Sequence, residues 1–116
     1  MSSNQRSRVT THVLDAVSGR PASGVEVALE QQGADGWQPV TTGTTDRDGR
    51  ISDFGPVDLE PGVYRVSFGT AAYFASLGQP TFYPEVIIPF NLADPDAHYH
   101  VPLLLSPYAF STYRGS

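Results

Sequence analysis

An all-β sandwich of roughly Greek-key type with one short helix is the fold this sequence predicts, and three observations carry the prediction. The 116 residues include 11 Gly and 10 Pro, spread between short β-branched or aromatic runs rather than gathered in one block. Several of those runs alternate apolar and polar residues, the period of two that a half-buried antiparallel strand requires. About seven or eight such runs at this spacing, with a single segment of helical composition, suit a two-layer β architecture.

Taken in order, the first run is Arg8-Val9-Thr10-Thr11-His12-Val13-Leu14-Asp15. Alternation places Val9, Thr11 and Val13 on one face and Thr10 and His12 on the other. A turn-rich stretch over 18–24 leads to a strand over 25–30 with Val25, Val27 and Leu29 inward and Glu26 and Glu30 outward. Asp35-Gly36 marks a hairpin turn into a strand over 37–45, and Asp46-Arg47-Asp48-Gly49 marks the next before Arg50-Ile51-Ser52, so three strands are in place by residue 52. Pro61-Gly62 opens a strand over 63–68 that buries Tyr64, Val66 and Phe68. The helix is expected over 71–77, stopped by Gly78 and Pro80. Pro84 and Pro89 bracket a short strand over 85–88 and limit its pairing. Two more strands follow the turn over 91–96. One domain is expected over 8–116, preceded by a disordered tail over 1–7.

Composition excludes several chemistries. The chain has no Cys, and its seven basic residues are all Arg. A thiolate nucleophile, a Cys-ligated metal, a Schiff-base amine and a phosphate-loop lysine are therefore absent. A net charge of −5 argues against a nucleic-acid partner. No run approaches the roughly 20 apolar residues that span a bilayer, and the first eight residues hold no apolar stretch of signal type. The expectation is a cytoplasmic protein with no membrane partner.

The available chemistry is His, carboxylate, hydroxyl and Arg. His98 and His100 lie two apart on a strand, so both face one way while Tyr99, Val101, Leu103 and Leu105 face the other. The pair has three readings: two ligands of a metal that needs a third from His12 or an acid, a hydrogen-bonded polar face, or an acid/base pair. Arg50 after the Asp-Gly turn is either solvated or a planar fork for a ring carbonyl edge. Tyr113-Arg114-Gly115-Ser116 closes the sequence with an aromatic and a hydroxyl directly after a strand. It is either a site wall or a ragged end.

Four stretches together resemble the 5-hydroxyisourate hydrolase and transthyretin family: Thr11-His12-Val13-Leu14-Asp15, Asp48-Gly49-Arg50-Ile51, the block from His98-Tyr99-His100 through Ser106, and the terminal Tyr113-Arg114-Gly115-Ser116. The resemblance implies a transthyretin-like Greek-key sandwich of two four-stranded antiparallel sheets with a short helix. It also implies a homotetramer, a dimer of dimers whose sites lie in a central channel. The implied reaction is hydrolysis of 5-hydroxyisourate at a ring amide to 2-oxo-4-hydroxy-4-carboxy-5-ureidoimidazoline, in urate degradation, with no cofactor and no metal. His12, Arg50 and His100 form the implied catalytic set. His12, Arg50, Tyr113 and Ser116 would bind substrate, and His98, Arg114 and Gly115 would support them. Three alternatives stand beside this: a transthyretin-like carrier without chemistry, an immunoglobulin-type interaction sandwich, and a zinc hydrolase using His12, His98 and His100.

Overall fold

The computed structural model describes residues 7–116. Eight strands and one helix run in the order β1 (Val9–Asp15), β2 (Arg20–Pro21), β3 (Glu26–Gly33), β4 (Gly36–Thr44), β5 (Gly62–Phe68), α1 (Thr70–Ser76), β6 (Val86–Leu92), β7 (Tyr99–Ser106) and β8 (Ala109–Thr112). They form two four-stranded sheets, β2-β1-β7-β8 and β4-β3-β5-β6. Alternation predicts the inward faces correctly: Val9 and Val13, Val25, Val27 and Leu29, Tyr64, Val66 and Phe68 are all buried. The inner faces pack on each other, which removes apolar surface from water at about 25 cal/mol per Å².

Three details differ from the expectation. The first sheet is mixed rather than wholly antiparallel, because β1 runs parallel to β7, with Thr10 opposite His100 and His12 opposite Pro102. A parallel pair needs a long crossover, and the whole of the second sheet supplies it. Arg50, just past the Asp-Gly turn, makes one isolated bridge with His12, and Asp53-Phe54-Gly55-Pro56 then turns the chain away at once. The strand over 85–88 continues through Pro89 to Leu92. This is tolerated because β6 lies at the sheet edge, where a missing N–H leaves no ladder bond unmade. The tail expected over 1–7 lies outside the described residues except for Ser7. That residue is buried, and its Oγ accepts the Phe54 N–H at 2.8 Å and donates to the Gly55 carbonyl at 3.1 Å.

The helix begins one residue earlier than expected and stops at Leu77 and Gly78, whose N–H groups bond the Phe74 and Ala75 carbonyls. Phe74 is driven into the core, and the Tyr73 hydroxyl donates to Asp15 Oδ2 at 2.7 Å. Burial first, then that hydrogen bond, pushes the Tyr73 phenol up to about 12. Asp15 Oδ1 also accepts the Val17 N–H at 2.9 Å, so one carboxylate ties the end of β1 to the following turn and to α1.

Candidate active site

The outward face of the β1–β7 pair carries the chemistry. Because Thr10 and His100 are register partners, their side chains leave the sheet on the same side. His98, just before β7, joins them. Thr10 Oγ1 lies 2.9 Å from His98 Nε2 and 2.9 Å from His100 Nδ1. Both imidazoles thus share one hydroxyl.

Arg50 reaches this face from the turn over 46–50. Asp46 Oδ1 accepts the N–H of Asp48 at 2.8 Å and of Arg50 at 3.1 Å. Those two bonds, Arg50 first, hold the Asp46 carboxyl below its usual range. Gly49 has φ +75°, the left-handed region the tight turn needs, and its carbonyl accepts the Val13 N–H at 2.8 Å. A Cβ on Gly49 would meet the Val13 carbonyl and come within 3.2 Å of His12 Cδ2. The missing side chain therefore lets the turn lie against β1, which sets Arg50 beside His12.

The C-terminal segment arrives from β8. Gly115 donates its N–H to the His100 carbonyl at 2.9 Å, in an isolated bridge. The Arg114 guanidinium lies 4.5 Å from the Tyr99 ring centroid and bonds the His98 carbonyl at 3.3 Å. Thr112 donates to the Pro102 carbonyl at 2.7 Å. The last residues are thus pinned along β7 rather than frayed.

A cavity of about 250 Å³ results, lined by Thr10, Asp46, Arg50, His98, His100 and Ser116 among others. A neighbouring apolar cavity of about 200 Å³ is lined by Ile88, Phe90, Tyr113 and Arg114 and shares His100. A larger hollow of about 440 Å³ on the other sheet contains Glu26 and Glu85 but no His or Arg. Of the sequence-predicted residues, Arg50, His98, His100 and Ser116 meet in one cavity. Tyr113 and Arg114 line the second, Gly115 packs on His100, and His12 sits beside Arg50 through their backbone bridge, outside the lining. Among the described residues no group of three or more His, Asp or Glu is arranged to hold a metal ion, so His12, His98 and His100 do not converge as a ligand set.

Two contributors were not singled out from sequence. Thr10 matters only once β7 lies parallel to β1 and brings residues 98 and 100 alongside. Asp46 is legible as a turn residue, but its bond to the Arg50 N–H requires the turn geometry.

Residues 9–115 match the HIUase/Transthyretin family. The chain belongs to that family. A 5-hydroxyisourate hydrolase from Salmonella typhimurium is 50% identical over 109 residues, 93% of this chain and 80% of the relative. The solved 5-hydroxyisourate hydrolase of Klebsiella pneumoniae superposes with a TM-score of 0.82 at 35% identity, covering 93% of this chain and 92% of that one. Transthyretin from Sparus aurata superposes with a TM-score of 0.88 at 35% identity, over 95% of this chain and 97% of that one. Backbone similarity thus places hydrolase and transthyretin side by side, and the side chains must separate them.

Proposed function

We propose that this chain is a hydrolase of 5-hydroxyisourate acting in urate degradation, and that His12, Arg50 and His100 are its catalytic set, with Tyr113 and Ser116 binding substrate. The observation that carries the reading is the cavity where Arg50, His98, His100 and Ser116 meet from three separate stretches of sequence. The identity to hydrolases from several bacteria supports it.

The chemistry follows from the residue types. Hydrolysis of a ring amide adds water to the carbonyl carbon, breaks the C–N bond and returns a proton to the departing nitrogen. An imidazole takes the proton from water and an imidazole returns it. The Arg50 guanidinium holds the ring oxygens and offsets the negative charge that grows on the carbonyl oxygen in the transition state. Neither step calls for a protein nucleophile.

The proposal includes a homotetramer, a dimer of dimers that encloses the site. All four residues of β8 are exposed and β6 and β8 are sheet edges, while Ile87, Phe110 and Tyr113 expose apolar surface. Edges with apolar side chains invite a second copy, and sedimentation equilibrium measures the state. A cytoplasmic setting belongs to the same reading, and cell fractionation tests it. Among the described residues no helix is long and apolar enough to cross a membrane.

The deciding assay generates 5-hydroxyisourate with urate oxidase and follows its ultraviolet decay with and without the protein. Acceleration that falls by orders of magnitude in His100→Ala or Arg50→Ala, with the fold intact by circular dichroism, is the expected result. No acceleration by the wild-type protein removes the hydrolase reading. A transthyretin-like carrier is the reading left in that event, and calorimetric titration with a small aromatic ligand is its test.

A further inference from the structure

We propose that Thr10 is a positioning residue whose hydroxyl joins His98 and His100 into one proton relay, so that the state of one imidazole sets the tautomer of the other. The inference rests on the hydrolase reading and deepens it. Its basis is geometric: one oxygen sits 2.9 Å from His98 Nε2 and 2.9 Å from His100 Nδ1. A hydroxyl has a single proton to give, so when it donates to one of these ring nitrogens it can only accept from the other, and the two rings then take opposite roles.

With both rings neutral and the Thr10 proton directed at one of them, two arrangements satisfy the oxygen. In one, His100 Nδ1–H donates to Thr10 while Thr10 donates to His98 Nε2, which leaves a lone pair on His100 Nε2, the form of a base. In the other, His98 Nε2–H donates and Thr10 donates to His100 Nδ1, which puts the His100 proton on Nε2, the form of an acid. The relay links them during turnover. His100 Nε2 takes a proton from water as the oxygen adds to the carbonyl carbon. The Nδ1 proton then passes to Thr10 Oγ1 as the hydroxyl proton passes to His98 Nε2, and the positive charge moves to His98. When Nε2–H protonates the departing nitrogen, both transfers reverse and the starting state returns with no electrons exchanged.

Among the described residues, the charged and titratable groups around the pair include Arg50 and Asp46 from the turn, His12 further along β1, Arg8, which bonds the Ala97 carbonyl, Arg114, which bonds the His98 carbonyl, and Tyr113 in the neighbouring cavity that shares His100. The strand itself does not require a hydroxyl at position 10, since Val has equal or better β propensity.

The test compares Thr10→Val and Thr10→Ser in the decay assay over pH, with ¹⁵N signals of labelled imidazoles read in parallel. Thr10→Val should lower kcat by roughly 10- to 100-fold, at or below the low end of the roughly 100- to 10,000-fold contribution of a positioned acid or base because Thr10 acts through His100, with KM within about twofold. It should also displace the pH profile of kcat and turn the single His100 tautomer signal into a mixture. Thr10→Ser should restore all three. A wild-type kcat and profile in Thr10→Val, a Thr10→Ser no better than Thr10→Val, or an unchanged His100 tautomer overturns the relay. Failure of the wild-type protein to accelerate decay overturns the hydrolase reading instead, and the ¹⁵N comparison still decides whether Thr10 couples the two rings.

Discussion

Gly115→Ala isolates the close approach of the C-terminal segment to His100. A Cβ at position 115 would lie 2.5 Å from His100 Cδ2, 3.2 Å from Cγ and 3.5 Å from Cβ. Ordinary carbon contacts begin near 3.5 Å, so the ring or the segment must retreat by about 1 Å. Gly115 lies outside the left-handed region, so the alanine backbone itself is unstrained and the contact alone is probed. If the ring turns, the bond from His100 Nδ1 to Thr10 is lost. If the segment lifts, the 2.9 Å bond from Gly115 N–H to the His100 carbonyl is lost and Ser116 leaves the cavity. Misplacement of a reacting group by about 1 Å lowers turnover roughly 100-fold, equal to about 2.7 kcal/mol of barrier. The stability loss is limited to that one hydrogen bond at the rim, about 1 kcal/mol, or a few degrees of Tm. Decay of enzymatically generated 5-hydroxyisourate gives the rate, and a circular-dichroism melt gives the stability. A Gly115→Ala protein with kcat/KM within about twofold of wild type refutes the claim that this contact orients His100.

Three further predictions follow from the same contacts. Gly49→Ala combines φ +75° with a Cβ that meets the Val13 carbonyl, so it should destabilise the fold by about 1–3 kcal/mol and displace Arg50, and an unchanged melt refutes it. Tyr73→Phe removes the donor to Asp15 Oδ2 and should lower stability by about 1–2 kcal/mol. Because the folded state raises the Tyr73 phenol from 10.0 to about 12, that stabilisation is complete below pH 10 and is lost as pH rises from 10 to 12. The gap between wild type and variant should narrow over that window, and a constant gap refutes the assignment. Asp46→Ala removes the acceptor for the Arg50 N–H and should impair turnover, whereas Asp46→Asn keeps an acceptor oxygen and should retain it. Equal loss in both would assign the effect to charge rather than to turn geometry.

Legibility in the sequence tracked how local each cause is. The inward faces of β1, β3 and β5 were readable because one buried face imposes alternation on Val9, Thr11 and Val13, or Tyr64, Val66 and Phe68. The shared orientation of His98 and His100 came from the same rule. Direction and partnership of strands have no local signature. The parallel pairing of β1 with β7 was therefore invisible, and with it the position of Thr10 between the two imidazoles. The bridge from Arg50 to His12 likewise has no local signature. The site residues were named through four motifs of the family, and their division between two cavities that share His100 emerged only from the packing of β8 and the residues after it.

The distribution of residues across β1 and β7 explains how one backbone serves both family branches. On the inward side, Val9, Val13, Leu103 and Leu105 are buried in the core and determine stability. On the outward side, Thr10, His12, His98 and His100 carry polar chemistry and contribute little to the core. Substituting outward residues therefore changes what the face binds or catalyses while leaving the sandwich intact, in keeping with TM-scores of 0.82 and 0.88 to hydrolase and transthyretin alike. The constraint lies where distant segments dock on that face. Gly49 brings Arg50 to β1 and Gly115 brings Ser116 to β7, each through a backbone bond that needs an absent side chain. Histidines on this face take only side-chain substitution, but a cavity beside them also requires these two close approaches, so Gly49 and Gly115 are as necessary to the proposed site as the imidazoles.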